Sequence, residues 1–146
     1  LQAAFDPFFP VGRFYYWKST YLDDLSDEAI DVLIERARVQ GENLGQRLDE
    51  LKANHKCVGD HRGIGLFRVL ELVKNRETKE PISGFNKPAS EAMAKVSGHL
   101  KSRGLSTQVR WDWIFAVPPL CITDEELEEG LSIIDEALAL ADPYCD

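Results

Sequence analysis

A β-strand at the centre of a small sheet is predicted by the run Leu66-Phe67-Arg68-Val69-Leu70-Glu71-Leu72-Val73. Aliphatic, aromatic and β-branched side chains dominate this stretch, as they do in strands that pack against a core. The glycine-rich residues before it, 57–65, are interpreted as a bend between short extended pieces. We attribute Gly63 and Gly65 to backbone geometry, because glycine adopts positive φ or a close backbone approach at little steric cost. The pair lacks a third glycine and precedes a strand rather than a helix, so it does not predict a dinucleotide site.

Three amphipathic helices are predicted before and after this strand. Apolar residues at steps of three and four predict the first helix from Asp27 to about Ala53, and a similar period predicts the second from Ala89 to Arg103. The third helix follows Thr123-Asp124-Glu125-Glu126, which is a capping box: threonine caps the helix and glutamate follows three residues later.

Further β-structure is predicted between the second and third helices. Two short strands are expected there, Ser106–Arg110 and Trp113–Val117, joined at Trp111-Asp112, while residues 75–88 are expected to form a loop. Helices that follow short strands in this order are typical of an α+β fold. We therefore predict a small antiparallel sheet of three or four strands with the helices packed on one face.

Composition and charge narrow the classes of function. The 146 residues carry 17 Lys plus Arg and 25 Asp plus Glu, for a formal net charge of −8. Because the cations are scattered among acids, we expect no nucleic-acid partner. The apolar stretch 114–122 is interrupted by two prolines and is shorter than the roughly 20 residues that a bilayer requires, so no membrane span is expected. Three cysteines without a C-x-x-C pair, and the lack of a leader-like start, favour the cytoplasm.

Residues 1–25 are expected to form a separate, aromatic-rich segment of unclear origin, followed by one domain over residues 26–146. Seven of the chain's 14 aromatic residues lie within the first 17 positions. Such side chains are expected to be buried, either on the chain's own domain or on a partner surface. Both interpretations remain open.

A cluster of metal-capable side chains lies between His55 and His61, with Cys57 and Asp60 between them. A zinc site needs three or four convergent ligands, and no second group of candidate ligands is apparent elsewhere in the sequence. A solvated loop is therefore the favoured interpretation, and a metal site is the minor one.

Arg110 is the candidate binding residue. It ends a predicted strand and lies beside Trp111 and Trp113 in the sequence. A guanidinium flanked by aromatic rings is well suited to bind a carboxylate or a sulfonate through two parallel hydrogen bonds. The alternative is an edge-strand arginine paired with an acid of the same chain, and exposed pairs of that kind are common.

Three stretches resemble class III pyridoxal-phosphate-dependent aminotransferases. Residues 58–67 and then 71–81 are similar to the family patterns V-G-D-V-R-G-x-G-L and E-L-V-x-D-x-x-T-K-E-P, although His61 replaces the usual aliphatic residue. Residues 118–127 are similar to P-P-L-x-I-T-x-E-E-[IL]. Residues 35–48 are similar to the long helix that precedes them in the family. The tryptophan-rich sequence around Arg110 most resembles the ω-amino-acid and taurine–pyruvate branch.

The resemblance implies that residues 26–146 are the small C-terminal domain of such an enzyme, with the fold of that domain in fold-type I enzymes. Arg110 matches the family's small-domain arginine, which binds the carboxylate or sulfonate end of the substrate. Gly59, Arg62, Gly63 and Gly65 match family positions that are expected to be structural.

The resemblance also implies what the complete enzyme would contain: pyridoxal phosphate on a lysine of a large domain, amino-acid and 2-oxo-acid substrates, and a homodimer. Neither the phosphate-binding glycine turn nor the Schiff-base lysine context of that large domain is recognised in this chain, and Lys18 does not lie in that context. We therefore expect this chain alone neither to bind the cofactor nor to transaminate. The alternatives are a stand-alone binding or scaffolding module and, less favoured, unaided cofactor binding through some lysine.

Overall fold

Three helices and five strands succeed one another in residues 26–146, the part of the chain that the computed structural model describes. Their bounds are α1 Asp27–Asn54, β1 Val58–Ile64, β2 Phe67–Asn75, β3 Glu80–Pro81, α2 Glu91–Ser102, β4 Val109–Arg110, β5 Trp113–Ala116 and α3 Asp124–Ala141. A 3-10 turn, Asp142–Tyr144, follows α3. The chain divides into two compact units, Leu1–Glu35 and Arg36–Asp146, and the sheet, α2 and α3 belong to the second.

The strands form an antiparallel sheet in the order β1-β2-β5-β4, and the two-residue β3 pairs with β2 beside this path. The predicted central strand is therefore confirmed, since β2 has a neighbour on each side. The α+β class and the antiparallel sheet are also confirmed.

Side-chain alternation leaves one face of the sheet in the core. Leu70 and Leu72 of β2 and Ile114 of β5 are fully buried, and Leu70 lies opposite Ile114 across the strand pair. Residues opposite each other in a ladder point to the same side, so these three mark one face. The same hydrophobic cluster contains residues of all three helices: Leu44, Leu48, Met93, Val96, Leu131, Ile134 and Leu138. The helices accordingly pack on one face, as predicted.

Local signals fix where two of the helices begin. The Thr123 hydroxyl accepts a hydrogen bond from the backbone N–H of Glu126 at 3.2 Å, and the Glu126 carboxylate accepts one from the Thr123 N–H at 2.9 Å. The capping box is thus formed as predicted. Ser90 caps α2 by accepting from the Met93 N–H at 3.3 Å.

The interpretation of residues 57–65 as a bend was wrong, because most of this segment is strand β1. It pairs with β2 from Val58 to Ile64, and a two-residue turn joins the strands. Pairing with a long neighbour outweighs the low strand preference of glycine. The predicted loop 75–88 contains β3, and the predicted strand 106–110 is reduced to Val109–Arg110.

Helix α1 approaches the β1–β2 turn so closely that two glycines meet. A Cβ atom placed on Gly41 would lie 2.4 Å from the Cα of Gly65, far inside van der Waals contact. Gly65 itself has φ +52°, a conformation in which glycine has no steric penalty. The attribution of Gly65 to backbone geometry is confirmed.

A buried histidine joins the end of α1 to the end of α3. The His55 Nδ1 atom lies 2.7 Å from a carboxylate oxygen of Asp142, and Nε2 lies 3.0 Å from one of Asp135. Burial opposes the charged imidazolium, but the hydrogen bonds to the two carboxylates outweigh it, so the pKa of His55 is raised. Asp142 also accepts a hydrogen bond from the Cys57 N–H at 3.0 Å. We refer to His55, Cys57, Asp135 and Asp142 as the His55 cluster.

No helix within residues 26–146 is long and apolar enough to cross a bilayer.

Candidate functional site

The sheet face opposite the core carries a continuous set of aromatic rings, which we call the aromatic face. Its neighbouring pairs have ring centroids 4.3–6.4 Å apart, within the range in which edge-to-face and offset contacts are favourable. In spatial order, its members are Phe67, Phe115, Trp113, Trp111 and Phe85.

The aromatic face is accessible at both ends. Phe67 is 55% exposed and Phe85 is 67% exposed, while Ile64, opposite Phe67 in the β1–β2 ladder, is 84% exposed. Large apolar side chains that cluster in this way on a surface mark a site of interaction. The face therefore has the properties of a contact surface as well as a structural layer.

The β4–β5 hairpin positions Arg110 at one end of the aromatic face. Arg110 lies opposite Trp113 in the ladder, so only Trp111 and Asp112 connect the two strands. Trp111 has φ 57°. Two-residue hairpin loops require left-handed backbone at their first position to match the twist of the strands, which accounts for this angle.

The guanidinium of Arg110 stacks on an aromatic ring. Its Cζ atom lies 4.3 Å from the ring centroid of Trp111, within the range of a cation–π contact. The side chain is exposed, and no carboxylate within residues 26–146 forms an ion pair with it. The alternative of an arginine neutralised by an acid is therefore not observed in the described part of the chain, and the planar donor edge is open to an anion.

A second arginine on the same face, Arg62, belongs to strand β1. Arg62 forms ion pairs with Glu71 at 2.7 Å and with Asp60 at 3.5 Å. Close by, burial raises the pKa of Asp112 above its usual value, and the charge of Glu71 adds to this effect. Arg62 is therefore paired with acids, whereas no acid in the described part of the chain pairs with Arg110.

Trp113 contributes an unsatisfied donor to the aromatic face. Its indole Nε1 atom is buried and has no hydrogen-bond partner among the residues that the structure describes. Unpaired buried donors are rare in native proteins, and each calls for an explanation such as an absent partner.

The metal-capable residues of the sequence do not converge on one point. His55 lies between two carboxylates of α3 and the turn after it, and Cys57 is buried with its thiol 3.6 Å from the carbonyl oxygen of Leu138. His61 instead contacts Asp49 of α1 at 2.8 Å. No group of three or more ligand side chains that could hold a metal ion occurs among the described residues.

Sequence reasoning selected Arg110 and its tryptophan neighbours as candidates but did not predict two features of the aromatic face. Phe85 belongs to the loop between β3 and α2, and nothing in its local sequence indicates that it contacts Trp111. The left-handed backbone of Trp111 could have been predicted, since the expected strands already left only two residues between them.

Comparison with known proteins shows a match to one family over most of the chain. The model of the aminotransferase class-III family matches residues 21–138. The chain is 34% identical over 109 residues to ethanolamine-phosphate phospho-lyase homolog 1 of Caenorhabditis elegans, which covers 74% of this chain and 22% of the relative. It is 35% identical over 107 residues to 5-aminovalerate aminotransferase DavT of Pseudomonas aeruginosa, covering 71% of this chain and 24% of the relative.

A solved structure has a similar fold. The taurine:2-oxoglutarate aminotransferase of Bifidobacterium kashiwanohense, determined in complex with PLP and glutamate, superposes with a TM-score of 0.71 at 35% identity, over 77% of this chain and 25% of that protein. The chain thus spans about a quarter of the length of the relatives that it matches. Because the names of the relatives include a phospho-lyase as well as aminotransferases, the likeness shows a family and not a reaction.

Proposed function

Because the chain belongs to the aminotransferase class-III family, we propose that residues 26–146 are the small C-terminal domain of a pyridoxal-phosphate-dependent aminotransferase. In this proposal the domain recognises the substrate, and the complete enzyme transfers an amino group from an ω-amino acid or a similar donor to a 2-oxo acid. The coverage of about a quarter of each relative supports a domain-sized part of a longer enzyme. A homodimer and a cytoplasmic location belong to the same proposal.

The observation that carries the proposal is the uncompensated charge of Arg110. The guanidinium is exposed and stacked on Trp111, and no acid within the described residues pairs with it. A carboxylate or sulfonate could therefore accept two parallel hydrogen bonds from it. Held in this way at its acidic end, a substrate would present its amino group in a fixed direction, and orientation of this kind lowers the barrier of the reaction. The relatives named for taurine and 5-aminovalerate act on amines that carry such an acidic end.

We infer that residues 26–146 do not hold pyridoxal phosphate. A Schiff-base lysine needs a lowered pKa to be a neutral nucleophile. The hydrogen bonds that Lys74 donates to Glu80 and that Lys95 donates to Tyr144 instead raise the pKa of both lysines. A Cβ placed on Gly63 would lie 1.9 Å from the Phe67 carbonyl oxygen, so that glycine serves the close approach of β1 to β2 and not an open phosphate cradle. We propose that the cofactor, which supplies the electron sink of the reaction when bound, is held outside residues 26–146.

Substitution of Arg110 tests the proposed function. In the complete aminotransferase that carries this domain, we expect Arg110→Ala to raise KM for an amino donor with a carboxylate by about 100-fold, because a charge-assisted pair is lost. KM for an amine donor without an acidic group should stay within about twofold, since only the acidic end contacts Arg110. Steady-state kinetics with both donors measures the difference.

Arg103→Ala is the matched control. Arg103 is an exposed arginine that pairs with Glu136 of α3, away from the aromatic face. Its removal should leave both KM values unchanged, since it is an ordinary surface pair. If Arg110→Ala changes KM no more than Arg103→Ala does, Arg110 does not bind the substrate and the proposed function is wrong.

A second candidate function follows from the exposure of the aromatic face. Phe67 and Phe85 would be available to a partner protein if the chain were made alone as a binding or scaffolding module. The intact mass of the native protein, detected with an antibody against residues 123–146, separates the two. A species far above 16.5 kDa supports the aminotransferase, and a species at that mass supports the module.

A further inference from the structure

The two-residue turn requires a left-handed backbone at Trp111, but it does not require a bulky side chain there. Three non-glycine residues in the described part of the chain have positive φ: Lys79, Asn86 and Trp111. For a bulky side chain this conformation is a genuine outlier, whereas the turn would accept glycine or asparagine with less strain. Strain of this kind persists where the surrounding structure enforces it, and it is concentrated at functional sites.

The indole of Trp111 is held between other rings. Its centroid lies 4.3 Å from that of Phe85 and 5.2 Å from that of Trp113, with interplanar angles of 45° and 75°. Phe85 comes from the β3–α2 loop and Trp113 from β5, so two separate elements restrain the ring. The indole is therefore a fixed surface and not a freely rotating side chain.

Arg110 lies against this fixed surface. Its Cζ atom is 4.3 Å from the Trp111 ring centroid, and within residues 26–146 no carboxylate fixes its direction. An unrestrained arginine loses rotamer freedom when it binds an anion, and stacking beforehand removes part of that loss. Stacking also leaves the in-plane N–H groups free, because the cation–π contact uses the face of the guanidinium and not its edge.

From these contacts we infer that Trp111 is a positioning residue: it aligns the Arg110 guanidinium and thereby sets the preference for donors with an acidic end. This inference rests on the proposed function, since it gives Trp111 a role only if Arg110 binds the substrate. Glycine at this left-handed position would have less backbone strain but would leave the arginine without its surface.

Trp111→Gly and Trp111→Phe test the inference in the complete aminotransferase. Glycine suits the backbone at φ 57°, so the variant is expected to fold, while it removes the ring. We expect KM for a carboxylate donor to rise about tenfold with kcat nearly unchanged, and KM for an uncharged amine donor to stay the same. Phenylalanine keeps a ring and should restore most of the affinity.

Lys79→Gly is the matched control for the backbone. Lys79 has φ 58°, almost the same as Trp111, but lies in the turn before β3 and contributes no ring. The Lys79→Gly substitution should relieve similar backbone strain without changing KM for either donor.

A spectroscopic measurement on the 146-residue chain is independent of activity. The ring current of Trp111 should shift the Nε–H proton resonance of Arg110 upfield, and Trp111→Gly should return it to the position of a solvent-exposed arginine.

The outcomes separate the inference from the proposed function. If Arg110→Ala raises KM while Trp111→Gly leaves KM and the Arg110 resonance unchanged, the positioning role is wrong and the proposed function stands. If Arg110→Ala has no effect on KM, the proposed function fails and the inference fails with it. A rise in KM for Trp111→Gly with rescue by Trp111→Phe supports both.

Discussion

Replacement of His55 by alanine is expected to lower the free energy of unfolding by about 2–3 kcal/mol. The imidazole is buried and hydrogen-bonded through both nitrogens, to Asp142 at 2.7 Å and Asp135 at 3.0 Å. Its removal leaves Asp142, three-quarters buried, without its cationic partner. Asp135 is about half exposed, so its share of the loss is reduced by solvent. Urea unfolding of the 146-residue chain, followed by circular dichroism, measures the change.

The pH dependence of this loss identifies its cause. The folded-state pKa of His55 is raised, so its contribution is fully present below the unfolded value of about 6.5 and disappears as pH rises through the folded value. Burial alone would raise the pKa of Asp142. The hydrogen bonds that Asp142 accepts from His55 and Cys57 outweigh burial, so its pKa is lowered. The contribution of Asp142 to the free energy of unfolding is present above its unfolded-state pKa of about 3.9. It is lost as pH falls through the folded-state pKa. The difference between wild type and variant should be largest between about pH 4 and 6.5.

His99→Ala is the comparison for His55→Ala. His99 pairs with one carboxylate, Glu136, at 2.9 Å, and both side chains are partly exposed. Its loss should cost less than about 1 kcal/mol. Equal losses for the two variants, or a His55→Ala loss that grows steadily above pH 7, would contradict the ion-pair explanation.

Substitution of Gly41 by alanine is expected to lower the free energy of unfolding by about 2–3 kcal/mol, although alanine has the higher helix propensity. The new methyl group would lie 2.4 Å from backbone atoms of Gly65. Because the obstacle is backbone in a tight turn and not the end of a flexible side chain, helix α1 or the β1–β2 turn would have to move. Urea unfolding midpoints measure the loss.

Gly98→Ala provides a control with the same chemical change. Gly98 lies inside α2, and a Cβ there would meet nothing within 4 Å. The free energy of unfolding of this variant should rise by about 0.5–1 kcal/mol, because alanine loses less conformational freedom than glycine on helix formation. A stabilising Gly41→Ala would show that α1 does not pass so close to the turn.

Local patterns determined the parts of the fold that sequence reasoning predicted correctly. Each of these signals lies within one short segment of sequence: the Thr123–Glu126 capping box, the period of α1 and the composition of β2. Strand β1 was missed because its glycines have low strand preference, and only its pairing with β2 stabilises it. Propensity describes a segment alone, whereas pairing depends on a partner that the segment does not contain.

Contacts between distant residues explain what could not be predicted at the site. Phe85 meets Trp111 across 26 positions of sequence, and His55 meets Asp142 across 87. A pattern of neighbouring residues does not predict contacts between residues so far apart in sequence. Arg110, by contrast, could be selected as a candidate because its tryptophan neighbours are adjacent in sequence. That no acid within residues 26–146 pairs with it is visible only in the three-dimensional arrangement.

The His55 cluster also bears on when the domain can fold during synthesis. His55 and the Cys57 N–H both depend on Asp142, and Cys145 and Asp146 in turn bond to the carbonyl oxygens of Val73 and Lys74. A ribosome makes residues 55–75 well before it makes these partners. Until residues 142–146 have left the exit tunnel, His55 lacks its partner Asp142, and the carbonyl oxygens of Val73 and Lys74 lack theirs. The contact between the end of α1 and the end of α3 is therefore completed only after both of these segments have been made.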